Sequence, residues 1–168
     1  MAQKMGLEEA LDIAMDAELK AQAFYAQAAV EVQDPRGRDL LSRLSAFEQY
    51  HYQKLSELAD SLQGEGEFID YEARTLEQFV PVTGAGEASG VPVEELEGET
   101  AILIKAIENE KIAGERYKAL AEQTADPRGQ AMFRQLAEEE RMHERILEDE
   151  FFSLSNQGVW GWSGLYGE

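Results

Sequence analysis

The chain contains one sequence pattern twice, and equivalent positions are 92 residues apart. Asp-Pro-Arg-Gly occurs at 34–37 and again at 126–129, and the same offset superimposes the only two histidines, His51 and His143. Repeats of this kind indicate two copies of one supersecondary unit. We therefore predict two similar halves related by a pseudo-twofold axis. Further matched pairs are Glu18 with Glu110, Tyr25 with Tyr117, and Glu48 with Glu140.

Apolar residues recur every three or four positions in four segments, which predicts four helices. The predicted helices cover residues 7–32, 37–62, 99–124 and 129–154. The two Asp-Pro pairs predict tight joints, because the residue before proline is pushed out of helical conformation while proline suits a first helical turn. Each half is therefore predicted to be an antiparallel helical hairpin.

Residues 64–98 join the two halves and are rich in glycine and acidic residues. A connection this long usually spans something, and here it can run back along the bundle and make the second and third helices parallel. A single long crossover is the ferritin-like topology. We predict an all-α, ferritin-like four-helix bundle at 1–154, with a short helix within 71–79 of the crossover.

A glycine-rich aromatic tail is predicted at 155–168, and it is not expected to be helical. Its Trp160 and Trp162 could dock on a partner subunit or fold back over the end of their own bundle.

Composition excludes several classes of function. Cysteine is absent, which rules out disulfides, a rubredoxin-type iron site and an iron–sulfur cluster. The formal net charge of −19 disfavours binding to nucleic acid or anionic membranes. No window of about 18 apolar residues predicts a membrane span. The first residues lack an apolar signal core, so we expect a cytoplasmic protein.

Acidic residues interrupt the apolar stripes that should face the core. Each predicted helix carries a glutamate within its stripe, and in the second and fourth helices a histidine follows three residues later on the same face. The six residues concerned are Glu18, Glu48, His51, Glu110, Glu140 and His143.

Four buried carboxylates would repel one another and lose several kcal/mol each to desolvation. Two bound cations would neutralise them, and this set of four glutamates and two histidines is the di-iron carboxylate ligand set. The alternative is a metal-free polar core. By symmetry, Glu18 and Glu110 would be terminal ligands, whereas Glu48 and Glu140 would bridge both metals. Mixed oxygen and imidazole ligation favours iron or manganese over structural zinc, although zinc could substitute.

Nearby residues could support this site. Tyr25 and Tyr117 lie two turns beyond the glutamates of the first and third helices, where they could hydrogen-bond carboxylates, relay electrons or simply pack in the core. Glu139 and Glu144 flank the last motif and are expected to be solvated.

The chain resembles the rubrerythrin branch of the ferritin-like superfamily over most of residues 7–154. The matching segments lie at 17–25, 48–51 (Glu-Gln-Tyr-His), 107–117 and 140–143 (Glu-Arg-Met-His). The resemblance implies a non-haem di-iron protein that reduces hydrogen peroxide in defence against oxidative stress, and family habit implies a homodimer.

This chain also departs from the rubrerythrin pattern. The cysteine-containing rubredoxin domain is missing, so electrons would have to come from an external donor. Ala113 stands where many rubrerythrins have an additional glutamate, which makes the site more like the six-ligand centre of bacterioferritin. Gln49 stands where bacterioferritin has its haem-binding methionine, so no haem is expected.

The ligand set and the resemblance favour the first of three functions, and the other two are alternatives. The first is a di-iron oxidoreductase that reduces hydrogen peroxide or dioxygen. A second is a ferroxidase that oxidises and hands on Fe(II). A third is a metal-stabilised dimer without catalytic activity. Fold and ligand set do not decide between them.

Overall fold

The computed structural model describes residues 3–79 and 91–164, and four long helices account for most of them. They are α1 (Leu7–Glu31), α2 (Pro35–Gly64), α3 (Val93–Gln123) and α4 (Pro127–Gln157). No strand occurs within the described ranges. The predicted all-α four-helix bundle is therefore confirmed.

The two Asp-Pro joints form as their sequence predicts. Asp34 and Asp126 are the N-cap residues of α2 and α4, and each side chain accepts a hydrogen bond of 2.8 Å from a backbone N–H two residues later. The proline that follows each aspartate occupies the first turn, where its missing N–H is not needed. These caps produce two tight hairpins, α1–α2 and α3–α4.

Contacts between the hairpins establish the direction of the crossover. The start of α1 meets the end of α3, because the Met5 N–H donates to the Gln123 carbonyl at 2.8 Å. The end of α1 meets the start of α3, where the Gln33 N–H donates to Glu99 at 2.9 Å. Helices α1 and α3 are therefore antiparallel. Since α2 is antiparallel to α1, it runs parallel to α3, as the ferritin-like topology requires.

Most helix ends lie within two residues of the predicted positions, but the start of α3, the short helix of the crossover and the end of α4 differ more. Helix α3 begins at Val93, six residues earlier than predicted, because Pro92 supplies an extended N-cap and two glutamates fill the first turn, where acids suit the helix dipole. Only Leu76–Gln78 is helical within 71–79, as a single 3-10 turn closed by a capping box between Thr75 and Gln78. Helix α4 continues to Gln157 and ends at Gly158, whose φ of 70° suits glycine.

The tail folds back over its own bundle, and its described part closes one end of the core. Trp160 and Trp162 are 0% and 1% exposed. The Trp160 indole donates to Glu99 at 3.3 Å, and the Trp162 indole donates to Asp39 at 2.6 Å. Both rings are therefore used within the chain and are not available for docking on a partner.

Gly37 makes this closure possible. A Cβ atom at this position would lie only 2.6 Å from Cε2 of Trp160 and 2.7 Å from a methyl carbon of Val32. The indole ring thus packs directly against the backbone of the first turn of α2. Residues 80–90 and 165–168, which include part of the predicted crossover and tail, lie outside the described residues.

Candidate metal centre

The six predicted ligands converge in the middle of the bundle. Each is buried, and none is more than 3% exposed. Their donor atoms form two groups in which all atoms lie within 4.8 Å of one another. One group contains Glu18 and His51, the other contains Glu110 and His143, and both share Glu48 and Glu140.

Each imidazole directs one nitrogen at the carboxylates. His51 Nδ1 lies 3.2 Å from Glu18, 3.1 Å from Glu48 and 3.1 Å from Glu140. His143 Nδ1 lies 3.4 Å from Glu48, 3.6 Å from Glu110 and 3.3 Å from Glu140. A single N–H cannot donate a good hydrogen bond to three carboxylates at once. Around each Nδ1 atom there are therefore more acceptor oxygens than donors.

The two tyrosines bind carboxylates across the bundle. The Tyr25 hydroxyl on α1 donates to Glu110 on α3 at 2.5 Å, and the Tyr117 hydroxyl on α3 donates to Glu18 on α1. Each of these tyrosines therefore orients a candidate ligand that belongs to the other hairpin, namely Glu110 or Glu18. Hydrogen bonding to carboxylates was one of the roles predicted for Tyr25 and Tyr117, and the structure contains both bonds.

Burial and mutual repulsion shape the ionisation of the cluster. Burial raises the pKa of Glu18 and Glu110 well above 4.5, and the neighbouring carboxylates add to the effect. Burial also opposes ionisation of Glu48 and Glu140, but polar contacts with neighbouring side chains, both histidines among them, lower their pKa. In the absence of a metal, this environment favours the neutral form of Glu18 and Glu110 and so opposes accumulation of negative charge.

Burial favours the neutral imidazole at His51 and His143. The surrounding carboxylates outweigh this effect and raise the pKa of both rings well above 6.5. The imidazoles therefore supply positive charge to the metal-free cluster. A bound cation would take over this neutralisation and would displace the protons.

The polar atoms of the cluster fit a metal site. Oxygen atoms of all four glutamates are buried without a hydrogen-bond partner, and so are both ring nitrogens of His143. Within 3–79 and 91–164, every ion pair that these carboxylates make is with one of the two histidines, and none is with lysine or arginine. Unpaired buried oxygen atoms are costly, whereas hard cations bind oxygen and imidazole ligands well.

Sequence reasoning placed Glu139 wrongly. It was expected to be solvated, yet it is only 6% exposed, and its carboxylate lies 3.2 Å from His51 Nε2. Glu144 is partly exposed. The repeat contained a signal for this burial, because the offset of 92 matches Glu139 with Phe47, an aromatic residue of the core.

A cavity of about 250 Å³ lies between α1 and α3 and reaches the cluster. Its walls include four acids of the cluster and both tyrosines, together with Lys20 and Arg116. Small molecules could therefore approach the candidate ligands without disturbing the helices.

A second cavity, of about 750 Å³, reaches His143 and Glu139. Its walls also contain Glu138, Glu148 and Arg145.

Fold and cluster together define the class: a ferritin-like helical bundle with a buried carboxylate–histidine site that could hold metal. The rubrerythrin family model matches residues 101–158, which carry Glu110, Glu140 and His143. The predicted resemblance to rubrerythrins is therefore confirmed.

The fold is also similar to that of a solved structure, a hypothetical protein from Pyrococcus furiosus. The TM-score is 0.62 at 25% sequence identity, over 89% of this chain and 90% of that one. No curated protein matches the sequence significantly.

None of the helices in the described ranges is both long enough and apolar enough for a membrane crossing.

Proposed function

We propose that the chain is a di-iron oxidoreductase of the rubrerythrin type, which reduces hydrogen peroxide or dioxygen with electrons from an external donor. The observation that carries this proposal is the cavity between α1 and α3, because it gives a small oxidant access to the carboxylates of a buried dinuclear site. A purely structural metal site would have no need of such an opening.

Six side chains would hold the metals: Glu18, Glu48, His51, Glu110, Glu140 and His143. When bound, a pair of iron ions would supply Lewis acidity and electrons for reduction of the oxidant. Reduction of one hydrogen peroxide to two waters consumes two electrons and two protons, so a separate reductant is required. Manganese could occupy the same ligands.

The protein's own contribution is the positioning of the carboxylates. The Tyr25 and Tyr117 hydroxyls donate hydrogen bonds to Glu110 and Glu18, and both residues line the cavity. Burial, followed by the charge of the carboxylate that each tyrosine contacts, raises the pKa of both tyrosines. The phenols therefore stay protonated and keep the terminal glutamates oriented at neutral pH.

Two basic residues line the same cavity but do not close it to a neutral oxidant. Arg116 is partly exposed, and the Lys20 ammonium is paired with Asp16 at 2.9 Å. Neutral peroxide or dioxygen is not repelled by either charge.

The test is peroxide consumption by iron-loaded protein. Anaerobically loaded protein is expected to retain two iron ions per chain and to turn over hydrogen peroxide repeatedly when a chemical reductant is supplied. Glu48→Ala should lose bound iron and this activity, whereas Glu108→Gln, a substitution at a side chain that is 61% exposed and lines neither cavity, should retain both. Consumption no faster than that of free Fe(II), with either peroxide or dioxygen, would overturn the proposal.

A second candidate is iron oxidation and handling, and the larger cavity favours it. Five acidic residues and two arginines line this cavity next to His143, so acids are in excess; the acids are Glu77, Glu138, Glu139, Glu148 and Asp149, and the arginines are Arg74 and Arg145. Acidic walls attract cations such as Fe(II). Retention of many iron ions per chain on gel filtration would favour this function, whereas a constant two would favour the oxidoreductase. The homodimer expected from family habit would be measured in the same experiment.

A further inference from the structure

The surroundings of the two histidines differ, although the ligands themselves are pseudo-symmetric. Glu139 on α4 is buried beside His51. Its Oε2 accepts a hydrogen bond of 2.7 Å from the Tyr71 hydroxyl, and its Oε1 accepts one of 3.0 Å from the backbone N–H of Arg74. Both donors belong to the connection between the hairpins, so they have no counterpart within the repeat.

These contacts fix the orientation of the Glu139 carboxylate and direct it at His51. An ionised carboxylate only accepts hydrogen bonds, so the facing His51 Nε2 must carry a proton to make the 3.2 Å contact. The Nδ1 atom of the same ring is then the nitrogen left to bind a metal, and it faces the cluster. Such an outer carboxylate orients the ring and makes its free nitrogen more basic.

His143 has no such partner. The repeat offset places Phe47 where Glu139 stands in the other half, and the Phe47 ring lies edge-on to the His143 ring with 4.4 Å between centroids. Among the residues that the structure describes, none hydrogen-bonds His143 Nε2. A phenyl ring can hold the position of an imidazole by packing, but it cannot fix which nitrogen carries the proton.

We propose that the two metal positions are unequal, and that Glu139 is the positioning residue that makes the position beside His51 the tighter one. This inference rests on the proposed metal centre but not on its oxidoreductase activity. Loss of an outer carboxylate lowers metal affinity by about 10- to 100-fold, and we expect a difference of this size between the two positions.

The test measures each position alone, with Co²⁺ as the probe. His143→Ala leaves the His51 position, and His51→Ala leaves the His143 position. Each metal-free variant is titrated with Co²⁺, and binding is measured by calorimetry and visible absorption. The affinity for Co²⁺ should be at least about tenfold higher for His143→Ala than for His51→Ala.

Glu139→Gln is then added to each single-position variant. The amide offers only one acceptor oxygen to three donors, so it cannot reproduce the contacts of the carboxylate. Affinity should fall about 10- to 100-fold in the His143→Ala background and stay unchanged in the His51→Ala background. Glu108→Gln, at a side chain that is 61% exposed and lines neither cavity, is the matched control and should change neither.

Nitrogen NMR of the full chain loaded with Zn²⁺ provides a second measurement that does not depend on removal of either histidine. Because the protein has only two histidines, both rings can be assigned, and the His51 Nε2 resonance should show a bound proton that is lost or exchanges faster in Glu139→Gln.

The outcomes separate this inference from the proposed function. Equal affinities at the two positions, or an equal loss at both on Glu139→Gln, would overturn the inequality while leaving the metal centre intact. Failure of the wild-type chain to bind Co²⁺ would overturn both.

Discussion

Replacement of Gly37 by alanine tests how the aromatic tail is attached to the bundle. The new methyl group would lie 2.6 Å and 2.9 Å from two carbons of Trp160, well inside van der Waals contact. The indole is fully buried, so it must shift within a close-packed core. Overpacking of this kind costs about 1–3 kcal/mol if the ring moves in place.

The loss of stability is larger if the substitution releases the tail from the bundle. Removal of a buried tryptophan from a core typically costs about 3–5 kcal/mol, and release would also break the bond between Trp160 and Glu99. We therefore expect Gly37→Ala to lower the free energy of unfolding by roughly 1–5 kcal/mol, with the upper part of this range reached only when the tail detaches.

The assay follows from the sequence. The chain has two tryptophans, and both lie in the tail, so tryptophan fluorescence reports on the tail while circular dichroism reports on the helices. Denaturant titrations with both probes should show that red-shifted emission in Gly37→Ala precedes loss of helix. Gly98→Ala is the matched control, because its Cβ meets no atom within 4 Å and helix propensity predicts a gain of about 0.5–1 kcal/mol. Wild-type stability and emission in Gly37→Ala would refute the packing described for the tail.

Three further predictions concern the cluster. First, the metal-free protein should lose stability as pH rises above 4.5, because Glu18 and Glu110 have raised pKa values in the folded state and lose bound protons as pH rises; the loss is about 1.4 kcal/mol per unit of pKa shift. Urea titrations at several pH values should show a smaller loss in the Glu18→Gln/Glu110→Gln variant. The same dependence of stability on pH in this variant and the wild type would contradict the raised pKa values. Second, Tyr117→Phe should lower the free energy of unfolding by about 1–3 kcal/mol, because it leaves a buried Glu18 oxygen without its donor. Tyr52→Phe serves as the control for loss of a hydroxyl. Equal stabilities of Tyr117→Phe and the wild type would argue against the bond between Tyr117 and Glu18. Third, Fe(II) under anaerobic conditions should stabilise the wild type by about 2.7 kcal/mol at one hundred times its Kd, as measured by thermal unfolding, and should not stabilise Glu48→Ala.

The bundle and its six candidate ligands were accessible from the sequence because they depend on helical periodicity. A glutamate in an apolar stripe faces the core wherever the helix ends, so errors of several residues at the start of α3 did not move Glu110. The duplicated pattern then related one half to the other. Local spacing and repetition sufficed for this part of the molecule.

Helical periodicity alone could not place Glu139, although the repeat matches it with the core residue Phe47. Glu139 is adjacent to Glu140, and consecutive residues of a helix point about 100° apart, so periodicity assigns it to the flank of the stripe. Its burial depends on Tyr71 and Arg74, which lie in an irregular segment without periodicity. Contacts made by such a segment are set by the tertiary fold, and a helical pattern contains no information about them.

The difference between Glu139 and Phe47 has a consequence for how such a site could be built. Two identical, separate hairpins that paired as a symmetric dimer would carry the same residue at both positions, and therefore two equal metal surroundings. Only when both hairpins belong to one polypeptide can one half acquire a carboxylate while the other acquires a phenyl ring. Covalent linkage thus allows two metal positions to differ in their surroundings, whereas a symmetric assembly of identical subunits would make them equal.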